Sequence, residues 1–167
     1  MRIAIGSDRR GYYYKEKLKT YLEKEKYSII DMGPFDDKFP VDYPIYAELV
    51  GRSVSSGECD KGIVICSTGE GIMIACNKIK GIRCGMGYTD EVARLMREHN
   101  DANVIAFGQD FMDFDDVTRR TDIFLNSEFL NGYHCSRIEQ IKSLESEKKI
   151  YQTPLLDCGK QSGDMSR

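Results

Sequence analysis

Cys66 closes an apolar run, Gly62-Ile63-Val64-Ile65-Cys66, and is followed at once by Ser67-Thr68-Gly69-Glu70-Gly71. A thiol in that place is either a small buried core residue or a base, its thiolate helped by the amides that follow. The glycine-rich loop lies directly before a helical stretch. Its N–H groups can cradle a phosphate or a developing oxyanion, and the same residues serve equally well as a plain tight turn. His99, in Arg97-Glu98-His99-Asn100-Asp101-Ala102-Asn103, either faces solvent or moves protons near neutral pH. Asp8 can cap the turn ahead of Tyr12 or accept a hydrogen bond from a substrate hydroxyl. Arg9 and Arg10 share a tight loop, where a guanidinium can grip a phosphate through two parallel hydrogen bonds. His134 and Arg137 are later candidates for the same work, with ordinary surface charge as the plainer alternative.

The elements that position these residues alternate regularly. Ile3–Ile5 read as a strand and Tyr12–Lys26 as a helix, with Tyr14, Leu18, Tyr21 and Leu22 at helical spacing and lysines and glutamates on the other face. Ser28–Met32 read as a second strand, and Ile45–Ser55 as a helix. Gly62–Cys66 is a third strand, followed by a helix from Ile72 towards Lys78. Ile82–Met86 is a fourth strand, and Thr89 suits the cap of a helix running to Glu98. Asn103–Phe107 is the fifth, with helices expected over Phe111–Phe124 and Ser136–Lys149. Runs continuous in Val and Ile fit a parallel sheet covered on both faces. The expected fold is therefore α/β, a three-layer Rossmann-like sandwich with a five-stranded parallel sheet. In such a sheet the loops after strands one, three and four share one edge, where ligands gather. The 167 residues suit a single domain over 1–150, with 151–167 as a C-terminal extension rich in turn-forming residues.

Composition narrows the classes of function. Twenty-four Lys and Arg against 27 Asp and Glu leave a formal charge of -3, which argues against a general nucleic-acid binder but allows an anionic small molecule. Apolar runs are too short to span a membrane, and the start of the chain does not read as a signal peptide. The six cysteines include no CxxC pair, and with only two histidines a metal site is not expected. A reduced, cytoplasmic protein follows. Neither GxxxxGK[ST] nor GxGxxG is present, so no nucleotide cofactor is implied.

Several segments in order resemble the type B ribose-5-phosphate isomerases and the related galactose-6-phosphate isomerase subunits. They are I-A-I-G-S-D at 3–8, V-D-Y-P at 41–44, G-I-V-I-C-S-T-G-E-G at 62–71, A-C-N-K at 75–78, G-I-R at 81–83, R-E-H-N-D-A-N-V at 97–104 and G-Y-H-C-S-R at 132–137. The resemblance implies a metal-independent aldose–ketose isomerase of a sugar phosphate, working as a homodimer or a dimer of dimers with shared active sites. It makes Cys66 the base that moves a proton between C1 and C2, with Thr68 supporting it. The amides around Gly69 to Gly71 meet the enediolate oxygen, and Ser67 is among the substrate-binding residues. Asp8 holds a substrate oxygen, His99 opens the ring and Asn100 positions the open chain. Arg9, His134 and Arg137 fall on the phosphate side. The implied substrate is ribose 5-phosphate, with a six-carbon sugar phosphate or a noncatalytic sugar-phosphate-binding subunit as the alternatives.

The chain also departs from that pattern. S-D-R-R-G stands where the family usually has S-D-H-A-G, so Arg9 replaces a phosphate-side His, and Tyr133 stands where an Arg usually precedes the late His. Either Arg9 supplies the charge that Tyr133 does not, or the substrate has changed or the activity has been lost. Ile72 occupies the position of the Glu base used by one branch, which favours Cys66. Glu70 would repel phosphate if it pointed inward.

Overall fold

The computed structural model describes residues 1–151. In chain order these form β1 (Arg2–Ser7), α1 (Tyr12–Lys24), β2 (Ser28–Asp31), α2 (Tyr43–Ser55), β3 (Lys61–Cys66), α3 (Glu70–Cys76), β4 (Cys84–Met86), α4 (Asp90–Glu98), β5 (Val104–Gly108), α5 (Phe114–Asn126), a 3-10 turn (Gly132–His134) and α6 (Cys135–Leu144). The strands make one sheet in the order β2-β1-β3-β5-β4. Every pairing is parallel. This is the expected α/β sandwich. The segment expected as a C-terminal extension lies outside the described residues, apart from Tyr151.

Residue parity explains why the strands read as unbroken apolar runs. Ile3, Ile5, Ile63, Ile65, Ile105 and Phe107 face the layer of α1, α4 and α5, burying with Leu18, Leu22, Ala93, Val117 and Phe124. Ala4, Val64, Cys66, Val104 and Ala106 face the opposite layer, against Ala47, Val50, Ile72 and Cys76 of α2 and α3. Successive side chains of a strand point to opposite faces, and both faces here are roofed by helices.

Helix ends shift by up to five residues from the sequence reading, and three differences have a clear local cause. Lys15, expected on the solvent face of α1, is fully buried. Its Nζ lies 2.7 Å from Asp31 Oδ1 and 2.6 Å from Glu16 Oε1. The helix crosses the end of β2 there, and a buried ammonium is tolerated only with carboxylates of this kind around it. Burial raises the Asp31 carboxyl, but Lys15 and Lys19 outweigh it and hold the group below its ordinary range. Helix α3 starts two residues earlier than expected, because Gly69 takes a left-handed conformation (φ 84°) as its N-cap. Strand β4 starts later, at Cys84. The Ile82 N–H is still engaged in a turn to the Ile79 carbonyl, and the Asn77 side chain pins both the N–H and the carbonyl of Cys84 at 2.8 Å.

The order of strands reverses direction between β1 and β3: the chain leaves β1 for β2 on one side and β3 leads to β5 and β4 on the other. In open parallel sheets a crevice opens beyond the carboxyl ends at such a switch point. Asp8 and Cys66 stand at its two lips.

Candidate active site

Cys66 is the last residue of β3 and is only 4% exposed. Its sulfur accepts a hydrogen bond from the Gly69 N–H at 3.0 Å. That amide points at the sulfur because the chain turns through left-handed Gly69 straight into α3. A side chain at this turn would be strained in φ, and its Cβ would meet the backbone carbon of Phe107 at 2.9 Å. The Thr68 hydroxyl accepts from the Glu70 N–H at 3.2 Å and fixes the same loop. Gly71 carries the ring of Tyr43 against it, where an added Cβ would lie 2.9 Å from Cζ. The result is a sulfur at the floor of a turn, with the Gly69 N–H aimed at it. Negative charge that builds on the sulfur or on a nearby substrate oxygen meets fixed dipoles there. Glu70 is exposed at the first position of α3.

The first loop lies across the crevice. The Asp8 N–H donates to the Ile65 carbonyl, one residue before Cys66, at 3.2 Å. Its carboxylate accepts from the Gly11 N–H at 2.8 Å, which realises the expected turn cap. Burial pushes the Asp8 carboxyl upward, opposed by the Gly11 N–H and Arg10. Gly11 must be glycine, since its Cβ would fall 2.4 Å from the Ile65 carbonyl oxygen. Arg9 and Arg10 line a polar cavity of about 340 Å³ together with Tyr12, Tyr13, Gln109 and Asp110, and Asp37 completes its wall.

His99, Asn100, His134 and Arg137 are not at this edge. His99 caps the C-terminal end of α4, which begins beyond the carboxyl end of β4 and runs back to the amino ends of the strands. Arg83 binds the turn that carries Asn100: Nε reaches the carbonyls of Asn100 and Asp101 at 3.1 and 2.9 Å, and Nη2 reaches Asp101 Oδ2 at 2.7 Å. Buried Arg97 closes the same turn, with Nη1 on Asp101 Oδ1 at 2.8 Å and on the Ala102 carbonyl at 2.6 Å. The Leu130 N–H donates to the Glu98 carbonyl and brings in the following segment. The His134 ring then stacks on His99 with centroids 4.3 Å apart and an interplanar angle of 15°. Tyr133 lies 4.1 Å from His134 on the same stack, and the Arg137 guanidinium sits 5.1 Å above the Tyr133 ring. Burial, then the neighbouring His99 and Arg137, hold the His134 imidazole below its ordinary value.

The candidate residues thus fall into two groups at opposite ends of one sheet. The register sets Gly62 beside Val104 and Cys66 beside Gly108, so the strands separate the groups by on the order of 15 Å at about 3.3 Å per residue. His99 and Asn100 thus lie at the end of the strands away from their own chain's Cys66.

One loop at the Cys66 edge escaped the sequence reading. Gln109 and Asp110 follow β5, and their N–H groups donate to the carbonyls of Cys66 and Ser67 at 2.9 and 3.0 Å. The Gln109 side chain accepts from the Tyr14 N–H at 2.8 Å, joining α1 to the same loop. Asp110 accepts from the Ser67 hydroxyl at 2.6 Å. Their signal was positional: the reasoning that singles out the loops after the other central strands applies unchanged to the one after β5.

Comparison with known proteins places this geometry. The ribose/galactose isomerase family profile matches residues 3–141. Ribose-5-phosphate isomerase B of Escherichia coli is 37% identical over 147 residues, 88% of this chain and 98% of that protein. The structure of Clostridium thermocellum ribose-5-phosphate isomerase B superposes with a TM-score of 0.86 at 43% identity, covering 88% of this chain and 99% of that one. The Mycoplasma genitalium enzyme, solved with ribulose-5-phosphate bound, gives 0.84 at 33% identity, covering 88% and 97%.

Proposed function

The chain belongs to the ribose/galactose isomerase family, and we propose that it interconverts ribose 5-phosphate and ribulose 5-phosphate through a cis-enediolate. The observation that carries the mechanism is the buried Cys66 sulfur facing the Gly69 N–H at 3.0 Å, at the switch-point crevice. Moving a proton between two adjacent carbons requires a base beside the carbon and donors beside the oxygen. The Cys66 thiolate takes the proton from C2 of the open-chain aldose. The C2–H electron pair forms the C1–C2 double bond, and the carbonyl pair passes to the C1 oxygen. The backbone around Ser67, Gly69 and Gly71 stabilises that oxygen while Thr68 holds the loop in shape. The C2 hydroxyl then gives up its proton as the C1 oxygen gains one, and return of the carbon-bound proton from Cys66 to C1, with re-formation of the carbonyl at C2, gives the ketose. Asp8 accepts from a substrate hydroxyl. The reaction needs no redox cofactor, since no electrons leave the substrate, and the proton transfers assigned here to Cys66 and the backbone donors use no metal.

The ring-opening group comes from a second copy. His99 and Asn100 stand at the far edge of their own sheet, so a homodimer, or a dimer of dimers, that sets this edge against a partner's Cys66 crevice completes two sites at once. There His99 moves the proton between the anomeric hydroxyl and the ring oxygen, and Asn100 orients the open chain. His134 and Arg137 approach the phosphate from the same side, facing Arg9 of the crevice. The isomerase domain spans 1–150, with 151–167 following it as an extension. A cytoplasmic location suits a phosphorylated substrate; among the described residues no helix is long and apolar enough to cross a membrane.

The five-carbon substrate is favoured over a six-carbon one by the ribulose-5-phosphate bound to the Mycoplasma genitalium relative. Turnover of a panel of aldose phosphates in the presence of a chelator tests the reading. Ribose 5-phosphate is expected to be isomerised at a rate the chelator leaves unchanged. No turnover of any member would favour the noncatalytic binding subunit.

Arg9 supplies a second test. A charge-assisted hydrogen bond to phosphate contributes about 1.5–3 kcal/mol net, so Arg9→Ala lowers kcat/KM for ribose 5-phosphate by about 10- to 100-fold. The Arg10 guanidinium is already engaged by Asp110, so Arg10→Ala costs less. An Arg9→Ala enzyme with unaltered kcat/KM would remove Arg9 from the phosphate site.

A further inference from the structure

The Asp110 carboxylate holds an unusual set of donors for an exposed side chain. Its Oδ2 accepts from Arg10 Nη2 at 2.7 Å, from Arg10 Nε at 3.2 Å and from the Ser67 hydroxyl at 2.6 Å. A guanidinium fork and a hydroxyl converging on one oxygen form the donor set that also binds a phosphate oxygen. The place is the cavity that Arg9 lines, next to the Cys66 loop. Stability gives little reason for the pair: the Arg10 and Asp110 side chains are 67% and 28% exposed, and such ion pairs contribute almost nothing to folding. The Ser67 hydroxyl and then Arg10 hold the Asp110 carboxyl below its ordinary range, so it is charged at neutral pH.

We infer that Asp110 is a built-in counter-anion of this cavity, occupying Arg10 so that a phosphate ester is met by Arg9 with the charge of Arg10 already cancelled. Asp110 is then a residue that sets affinity, one that weakens phosphate binding. Its carboxylate repels the incoming phosphate and withholds a second guanidinium from it. The inference rests on the reading of this cavity as the phosphate end of the isomerase site. It goes beyond that reading in the sign of the effect: removing a residue of the site improves binding.

Asp110→Asn tests it, because the amide oxygen still accepts from Ser67 while the charge is gone. Inorganic phosphate, titrated by calorimetry at low salt into the full-length chain, is expected to bind about three- to tenfold more tightly to Asp110→Asn than to wild type. The gain shrinks at high salt, as a charge effect must. The double variant Arg10→Ala/Asp110→Asn, with both charges removed, returns to within about twofold of wild type. A purely structural Asp110, serving only to tether Ser67, predicts unchanged or weaker binding in Asp110→Asn, and either result overturns the inference, as does a gain that persists in the double variant. Absence of phosphate binding in both wild type and Asp110→Asn also overturns it. The titration does not involve turnover. A wild type that binds phosphate but isomerises no sugar phosphate would sink the isomerase reading and leave the comparison of variants standing.

Discussion

Cys66→Ala loses isomerisation by about 10²-fold or more, the scale of a general base, while retaining most of its phosphate binding. The sulfur sits where a base must sit, on the last residue of a central strand, with the Gly69 N–H aimed at it and the crevice opening above. In the proposed mechanism, phosphate recognition falls to Arg9 and to cationic groups of the partner, and the Cys66 sulfur takes no part in it. Alanine at this nearly closed position removes one heavy atom beside Val64 and Ile72, so the fold survives at a cost of about 1 kcal/mol. The measurement is exchange of the C2 hydrogen with solvent, read together with aldose-to-ketose turnover. Both should fall in parallel, because both pass through proton removal from C2. A folded Cys66→Ala enzyme that exchanges that hydrogen at the wild-type rate would transfer the role elsewhere. Glu70, exposed at the start of α3, is the first residue to examine in that event.

The fold was legible because its periodicities are strong. Apolar runs of strand length alternate with helical patterns, and a sheet roofed on both faces leaves the strands no polar side to blur the signal. The Cys66 loop was legible for a related reason: a strand end, a glycine turn and a helix start coincide there, and each leaves its own residue type. Less was visible where a residue's partner is distant in the sequence. Lys15 looks like any solvent-facing lysine of α1 until Asp31 and Glu16 are brought around it. Asp110 lies in an unremarkable stretch, and its role depends on two loops, at Arg10 and Ser67, far away along the chain. The stacking of His99 on His134 belongs to the same class, since it needs the segment after α5 to return to the end of α4. The resemblance of motifs implied a shared site. In agreement with that implication, the parallel sheet puts Cys66 and the His99 group at opposite ends of the strands.

That separation leads to the largest recovery expected of any pair of variants. Chains carrying Cys66→Ala and chains carrying His99→Ala are each expected to be nearly inactive on the cyclic sugar, the first without a base and the second without a ring-opening group. When the two are mixed, unfolded and refolded together, half of the dimers contain one chain of each kind. In those, one site combines the intact Cys66 of one chain with the intact His99 of the other, and the second site has neither. Random pairing therefore restores about a quarter of wild-type activity, well above either parent. If His99 acted on its own chain's Cys66, every site in the mixture would still lack one group, and no recovery would occur. The strand rise stands against that arrangement: His99 would have to cross on the order of 15 Å of sheet to reach its own sulfur. The separate roles can be read from the same preparations. His99→Ala should recover much of its deficit when open-chain substrate is supplied, because the defect lies before proton transfer, whereas Cys66→Ala should not. A mixture that stays as inactive as its parents, with heterodimers shown to be present, would place ring opening on another residue or the whole site within one chain.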